Sequence, residues 1–171
     1  MDDNLTIHML PEQGLPEPSL PEPSLPEPNL PGARLARGVA RALRALDFVT
    51  VEEMVPRPGL RVDVMALGPK GELWVIECKS GLADYRSDQK WHNYLEWGDR
   101  FFWAVGPDFP TAILPPETGL IIADAYDAEI VRMGPETFLA GARRKVVVQK
   151  FARHAALRLQ GLRDPGQVFG G

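Results

Sequence analysis

Residues 60–79 read LRVDVMALGPKGELWVIECK and decide the fold. Two apolar runs rich in β-branched residues flank a Gly-Pro-Lys-Gly break, and this pattern predicts a β-hairpin. Acidic residues interrupt the runs at Asp63 and Glu77, and Lys79 follows the second run. Burying an unpaired carboxylate is costly, so these acids are expected to be paired, bound to a metal, or placed at strand ends that face a cleft.

The elements on either side of the hairpin predict an α/β fold. Apolar residues at helical spacing indicate an amphipathic helix over 35–46, with arginines on its outer face, and a second helix is predicted over 84–97 with Asp84 as its N-cap. A last helix is expected from about 149 to 160. Strands are predicted at Phe48–Val55, Leu60–Leu67, Leu73–Cys78, Phe101–Val105, Leu120–Ala123 and Glu129–Met133. The order α-β-β-β-α-β indicates a mixed sheet flanked by helices.

The hairpin predicts the chemistry of the site. Alternation along a strand puts Glu77 and Lys79 on one face and turns Cys78 into the core. A connection of five residues would place Asp63 directly opposite Glu77, and one of four would leave it a step away. Two carboxylates, with the backbone carbonyl of Cys78, are oxygen ligands suited to Mg²⁺ or Mn²⁺. Lys79 would orient a nucleophile or stabilise charge on a phosphate, so we predict metal-dependent phosphodiester hydrolysis.

The distribution of charge favours a nucleic-acid partner although the formal net charge is −4. Residues 1–31 hold six of the 23 acidic residues and none of the 19 basic ones, so the remainder is near +2. The stretch 143–163 carries seven basic residues and no acid. Such a local basic face matters more to a polyanion than the total charge does. The predicted DNA contacts are Arg37, Arg41, Arg44, Arg143, Arg144, Lys145, Lys150 and Arg153.

The first 31 residues are predicted to lie outside the fold. From Leu15 the chain repeats the unit Leu-Pro-Glu-Pro-Ser, with asparagine ending the third copy, and then reaches Leu30-Pro31. Helices and central strands do not tolerate so many prolines, so residues 1–31 are expected to be an extended, acidic, largely disordered tail. This tail could bind a partner domain with an aromatic groove, although a spacer is the simpler interpretation. The domain is predicted to span residues 32–171.

Composition narrows the class of protein. The chain is 44% hydrophobic and 25% charged, which is typical of one globular domain. One cysteine and three histidines exclude an internal disulfide and a cysteine/histidine zinc set. The sequence contains neither a long apolar run nor a secretory signal, and we therefore expect a cytoplasmic protein without a membrane partner.

The motif resembles that of the PD-(D/E)xK nuclease superfamily, since thirteen residues separate Asp63 from Glu77-Cys78-Lys79. The wider pattern over about residues 34–165 resembles the MmcB-like DNA repair endonucleases of bacteria. It includes Arg61-Val-Asp63-Val, Ile76-Glu-Cys-Lys-Ser80, Lys90-Trp91 with Tyr94, Asp99-Arg-Phe-Phe-Trp-Ala-Val105 and Arg153/Arg158. The resemblance implies a restriction-endonuclease-like αβββαβ core, a role in DNA repair, other repair proteins as candidate partners of the tail, and a homodimer as a candidate assembly.

Two departures from the superfamily pattern leave alternatives open. Val62 stands where the superfamily has a proline, and the first helix lacks the glutamate that many members carry. Glu52 or Glu53 could supply that carboxylate, and the sequence does not decide between them; we name Glu53 as the candidate for a supporting role. Further supporting or phosphate-contacting candidates are Asp88, Gln89 and Lys90.

Two less specific interpretations stand beside the nuclease. Asp63, Glu77 and Lys79 could form an ion-paired trio without a catalytic task, in a DNA-binding or scaffolding module that keeps the fold but not the activity. The aromatic residues could stack on bases, but core packing is the expected role for most of them. These residues are Trp74, Trp91, Tyr94, Trp97, Phe101, Phe102 and Trp103.

Overall fold

A computed structural model describes residues 30–88 and 90–165 of the chain. The predicted tail, apart from its last two residues, and Gln89 lie outside the described residues. The strands are β1 (Val49–Arg57), β2 (Leu60–Leu67), β3 (Leu73–Lys79), β4 (Arg100–Val105), β5 (Gly119–Ala123) and β6 (Ala128–Arg132). The α-helices of the described part are α1 (Pro31–Ala45), α2 (Leu82–Ser87) and α3 (Gly141–Arg163), with short 3-10 turns at Trp91–Tyr94 and Thr111–Ile113.

The six strands form one mixed sheet in the order β1-β2-β3-β4-β5-β6. β1, β2 and β3 are antiparallel, β3, β4 and β5 run parallel, and β6 returns antiparallel to β5. The parallel crossover from β3 to β4 contains α2, as expected for a parallel connection. The predicted α/β class and the αβββαβ order are therefore confirmed.

The two long helices cover opposite faces of the sheet. α1 buries Leu35, Val39 and Leu43 in a cluster that contains Cys78 of β3. α3 buries Val147 and Phe151 in the cluster on the other face. The core is rich in aromatic residues, and the predicted packing role is confirmed for the five most buried of them, which are Trp74, Tyr94, Phe101, Phe102 and Trp103.

The predicted helix over 84–97 is wrong. The structure has the short helix α2, whose N-cap is Gly81 rather than Asp84, and then a separate 3-10 turn at Trp91–Tyr94. The carboxylate of Asp88 accepts hydrogen bonds from the backbone N–H of Lys90 and from the Lys79 ammonium. A side chain bonded in this way competes with helix continuation, which explains the break.

The long helices begin earlier than the sequence predicted. α1 starts at Pro31, because proline suits the first helical turn, where no backbone donor is needed. α3 starts at Gly141 rather than near 149, and it includes the β-branched run 146–148. Burial of Val147 offsets the modest helix propensity of that run.

Close packing at Gly38 gives the first prediction. A Cβ atom at this position would collide with the backbone carbonyl oxygens of Asp124 and Asp127, and backbone atoms cannot move aside cheaply. We expect Gly38→Ala to lower the free energy of unfolding by about 1–3 kcal/mol. Gly32→Ala is the matched control, because a Cβ atom there meets open space. Urea denaturation measures both; equal stability of the two variants would contradict the predicted packing.

Candidate active site

The hairpin β2–β3 brings the two predicted acids face to face. Leu67 pairs with Leu73 and Val64 pairs with Ile76, so the connection has five residues and the next pair along the ladder is Asp63 with Glu77. The tight turn uses Gly71 at φ 85°, a conformation that glycine adopts without strain. The register is the one that the sequence required for a shared site.

Hydrogen bonds from the backbone fix both carboxylates. The Cys78 N–H donates to Asp63 Oδ2 at 2.9 Å, and the Asp63 N–H donates to Glu77 Oε1 at 3.3 Å. Each acid is therefore held by the strand opposite its own. One oxygen of each carboxylate makes these bonds, and the remaining oxygens, Asp63 Oδ1 and Glu77 Oε2, are the candidate ligand atoms.

Lys79 lies beside this pair and links it to the segment after α2. Its Nζ is 2.6 Å from Asp88 Oδ2 and 3.7 Å from Glu77 Oε2. The same ammonium lies 5.7 Å from the centre of the Trp103 ring. Burial lowers the pKa of Lys79, but the hydrogen bond to Asp88 and the charge of Glu77 outweigh that effect and raise it. Lys79 thus remains a fixed cation in the site.

Burial and mutual repulsion disfavour the ionised forms of both acids. Burial, followed by the charge of Asp63, raises the pKa of Glu77 to about 9. Burial also raises the pKa of Asp63, against the hydrogen bond from Cys78. A divalent cation at these hard oxygen atoms would favour the ionised forms, and the carbonyl of Cys78 lies between Glu77 and Lys79 on the same strand. Within the described residues, no three or more His, Cys, Asp or Glu side chains come close enough to hold a metal ion together.

The raised pKa of Glu77 predicts a pH-dependent cost in stability. Between its unfolded value of about 4.5 and its folded value of about 9, the folded chain retains a proton that the unfolded chain releases, so stability falls as pH rises. In EDTA at pH 8 we expect the free energy of unfolding of Glu77→Gln to exceed that of the parent by about 1 kcal/mol or more. The gain should vanish near pH 4, where the parent carboxyl is protonated in both states.

Urea denaturation at the two pH values tests this prediction. Glu53→Gln is the control, since its side chain is 36% exposed. If Asp63, Glu77 and Lys79 were only a structural ion-paired trio, Glu77→Gln would destabilise the protein at pH 8, and that result would contradict the functional interpretation.

These acids line a cleft of about 670 Å³. One wall is the start of α1, from Leu30 to Ala33, and the floor is the hairpin. Both Glu52 and Glu53 reach the cleft, so the choice between them stays open. Glu53 adopts φ 55° and pairs with Arg61 at 3.6 Å, whereas burial raises the pKa of Glu52.

The supporting residues predicted after the motif are brought to the same cleft where the structure describes them. Asp88 and Lys90 both line it, and the Lys90 N–H donates to Asp88 Oδ1 at 3.0 Å. Gln89 lies outside the described residues. Asp88 contacts Lys79 directly, at 2.6 Å between Oδ2 and Nζ.

Sequence reasoning missed several residues of the cleft wall. Tyr94 was named in the family pattern and as a core or base-stacking residue, but its place in the cleft wall was missed because the segment was predicted as one long helix. Its phenol faces the acids: burial, then the charges of Glu77, Asp88 and Asp63, raises its pKa. Arg61 could have been found from its place two residues before Asp63 on the same strand. Other unassigned wall residues are Ser80, Asp84 and Ser87.

The predicted DNA contacts divide into two groups. Four are engaged within the domain: Arg144 donates to Asp99 and Gly71, Lys150 to Pro56, Arg41 to the Ala125 and Tyr126 carbonyls, and the exposed Arg143 to Glu96. The other four are exposed, namely Arg37, Arg44, Lys145 and Arg153. The structure therefore brings the catalytic candidates together but does not gather the basic residues into one patch.

The fold defines an α/β protein with a mixed six-stranded sheet flanked by helices, and the cleft lies at the β2–β3 hairpin. A family model described as DNA repair protein MmcB-like matches residues 24–166. The chain belongs to this DNA repair protein family, and the resemblance noted in the sequence is confirmed.

Solved structures give two further comparisons. A protein of unknown function from Silicibacter pomeroyi is 68% identical, with a TM-score of 0.81 over 83% of this chain and 98% of that chain. A repair endonuclease from Pyrococcus abyssi is 21% identical, with a TM-score of 0.32 over 45% of this chain and 38% of that chain. The second likeness is too low to indicate a shared function. No curated protein matches the chain.

None of the helices in the described part is long and apolar enough to cross a membrane.

Proposed function

We propose that this protein is a metal-dependent DNA endonuclease of repair, with its active site in the cleft at the end of β2 and β3. The observation that carries the proposal is the cross-strand pair Asp63 and Glu77 with Lys79 3.7 Å from Glu77 Oε2. Membership of a DNA repair family supports DNA as the substrate.

Each residue of the proposed active site would have a separate role in DNA cleavage. Asp63 and Glu77, with the Cys78 carbonyl, would hold Mg²⁺ or Mn²⁺. The bound cation supplies Lewis-acid chemistry at the scissile phosphate. Lys79 would orient the attacking water and offset negative charge on the phosphate, and Asp88 holds its ammonium in place.

Cation binding is the direct test of the ligand assignment. We expect the parent protein to deplete the electron paramagnetic resonance signal of free Mn²⁺, and we expect Asp63→Asn to lose this binding by at least about tenfold in affinity. Asp108→Asn, an exposed change outside the cleft wall, is the control. Equal Mn²⁺ binding by Asp63→Asn would remove Asp63 from the proposed ligands.

Two arginines near the cleft are the proposed phosphate contacts. Arg61 lines the cleft with its side chain 62% exposed, and Arg37 on α1 is close enough to act electrostatically on Glu52. We expect Arg61→Ala and Arg37→Ala each to weaken duplex binding about 3–10-fold and to reduce the slope of log affinity against log salt by about 1. Arg41→Ala should change binding less, because Arg41 is bonded to the Ala125 carbonyl. Fluorescence anisotropy over a salt series measures all three, and a dominant effect of Arg41 would place DNA elsewhere.

The alternative is a DNA-binding or scaffolding module without cleavage activity. Two observations favour it: among the residues that the structure describes, no three His, Cys, Asp or Glu side chains cluster closely enough to share a metal ion, and the ammonium of Lys79 is already bonded to Asp88 at 2.6 Å. Such a module would bind DNA with the same salt dependence and leave it intact in the presence of Mn²⁺.

A further inference from the structure

The tip of the β1–β2 hairpin, residues 54–62, forms a basic rim of the cleft. Arg57 pairs with Leu60 across a two-residue turn, in which Gly59 adopts φ 77°. Gly59 and Arg61 line the cleft that contains the two acids. Residues 54–62 include two arginines and no acid, and both arginines are exposed. The hairpin tip therefore presents positive charge beside the proposed active site.

Packing and a hydrogen bond hold the hairpin tip in place. Met54, Leu60 and Val62 are at most 3% exposed and belong to the cluster on the α3 face of the sheet. The Lys150 ammonium of α3 donates to the Pro56 carbonyl at 2.7 Å. Prolines at positions 56 and 58 also restrict the backbone of the tip. The tip is thus preformed, and a ligand does not have to order it on binding.

The exposed side chains of the hairpin tip are of the kinds that read base edges in DNA. The Arg61 side chain is 62% exposed, and its ion pair with Glu53, at 3.6 Å, is a surface contact that contributes little. Arg57 is exposed at the turn, and Val55 is 47% exposed. In the major groove arginine binds guanine edges bidentately, and apolar side chains contact the methyl group of thymine.

The distance between the acids and the turn indicates which groove the hairpin tip fits. Leu60 precedes Asp63 by three residues on β2, which corresponds to roughly 10 Å along the strand. The major groove is about 12 Å wide and about 8.5 Å deep and admits a two-stranded β-ribbon, whereas the minor groove is about 6 Å wide. With a phosphate at the acids, the turn would therefore reach into the adjoining major groove.

A single strand suits this cleft less well than a duplex. Proteins that bind single strands offer aromatic side chains on which the bases stack. Among the described residues of the cleft wall, the aromatic one is Tyr94, which is 9% exposed and packs nearly parallel to Phe101. The bases of a duplex stack on one another and need no such platform.

We propose that the protein acts on double-stranded DNA and that the hairpin tip enters the major groove beside the scissile phosphate, with Arg57 at the base edges and Arg61 near the backbone. The inference rests on the proposed function, because it places the scissile phosphate at Asp63 and Glu77, but it concerns binding rather than cleavage.

Equilibrium binding in EDTA tests the inference in the absence of metal-dependent cleavage. Fluorescence anisotropy compares a duplex with a single strand of the same sequence, using the full-length protein. We expect the parent to bind the duplex at least about tenfold more tightly than the single strand. Arg57→Ala should weaken duplex binding about 3–10-fold and change single-strand binding less than about twofold. Lys70→Ala is the matched control, because it removes an exposed cation from the turn at the other end of β2.

Two blocked duplexes identify the groove. Glucosylated 5-hydroxymethylcytosine fills the major groove and leaves the phosphates unchanged, whereas netropsin occupies the minor groove of A·T tracts. We expect the glucosylated duplex to bind the parent at least about fivefold more weakly, and netropsin to change the affinity less than about twofold. Arg57→Ala should be less sensitive to glucosylation than the parent, since its contact with the base edges is already lost.

Three outcomes would overturn the inference. The first is equal affinity of the parent for duplex and single strand, and the second is a loss with Arg57→Ala no larger than that with Lys70→Ala. The third is competition by netropsin without an effect of glucosylation, because the hairpin tip would then lie in the minor groove. If these binding results hold but Mn²⁺ yields no cleavage products, the proposed nuclease activity fails and the docking of the tip stands.

Discussion

Lys79→Ala is expected to reduce the rate of metal-dependent DNA cleavage by about 10²–10³-fold, equivalent to roughly 3–4 kcal/mol of transition-state stabilisation. Lys79 is held between Asp88 and Glu77 in the cleft, so its loss removes a fixed cation from the place where phosphate charge develops. DNA affinity should change less than threefold, because Lys79 is buried and its charge is already paired with Asp88. Single-turnover cleavage and anisotropy on the same preparations separate the two effects.

Two further variants show whether the loss of cleavage is due to the charge of Lys79 itself. Lys90→Ala removes an exposed lysine from the cleft wall and should lower the rate less than tenfold. Lys79→Met keeps most of the buried volume of the side chain and should be as inactive as Lys79→Ala, which separates loss of charge from loss of packing. Cleavage by Lys79→Ala at the parent rate would remove this lysine from the mechanism.

Asp99→Ala is expected to cost about 3–5 kcal/mol of folding free energy, the largest effect on stability that we predict. Asp99 is 3% exposed and accepts hydrogen bonds from the Leu73 and Leu139 backbone N–H groups and two from Arg144, at 2.5 and 2.9 Å. It therefore joins β3, the loop before α3 and α3 itself. Burial raises the pKa of Asp99, but the bonds from Arg144 and the backbone outweigh burial and lower it, so this stabilisation is present at neutral pH and is lost in acid.

Arg143→Ala is the matched control for the Asp99 prediction. Arg143 lies next to Arg144 on the helix but pairs with an exposed Glu96 at 3.4 Å, so its loss should cost less than about 1 kcal/mol. Urea denaturation at pH 7 compares the two variants. If Asp99→Ala were no less stable than Arg143→Ala, the ion pair between Asp99 and Arg144 would not hold α3 to the sheet.

The sequence predicted the hairpin and the core order because these features have local causes. Alternation, turn residues and helical spacing are properties of neighbouring residues, and they placed Asp63, Glu77 and Lys79 on the correct strands. The helix over 84–97 was wrong because Asp88 bonds to Lys79, and this contact between separate elements leaves no periodic signal.

The assignment of basic residues to DNA shows the same limitation, because contacts between residues that are distant in the sequence leave no local pattern. Arg144 was assigned to DNA from charge alone, but its partner Asp99 is 45 residues away in the sequence. Only the fold reveals that this cation is already paired. The cleft wall at Tyr94 was missed for a related reason, since a residue in a 3-10 turn has no face that helical periodicity can predict.

The cleavage assay tests the nuclease proposal most directly. Purified full-length protein is incubated with end-labelled duplex, branched and single-stranded DNA in Mg²⁺, Mn²⁺ or EDTA, with Lys79→Ala in parallel. The proposal predicts products that require a divalent cation and that fall by about 10²–10³-fold with the variant on at least one substrate. Intact DNA in every lane, with salt-sensitive binding retained, would contradict the nuclease and favour the DNA-binding module.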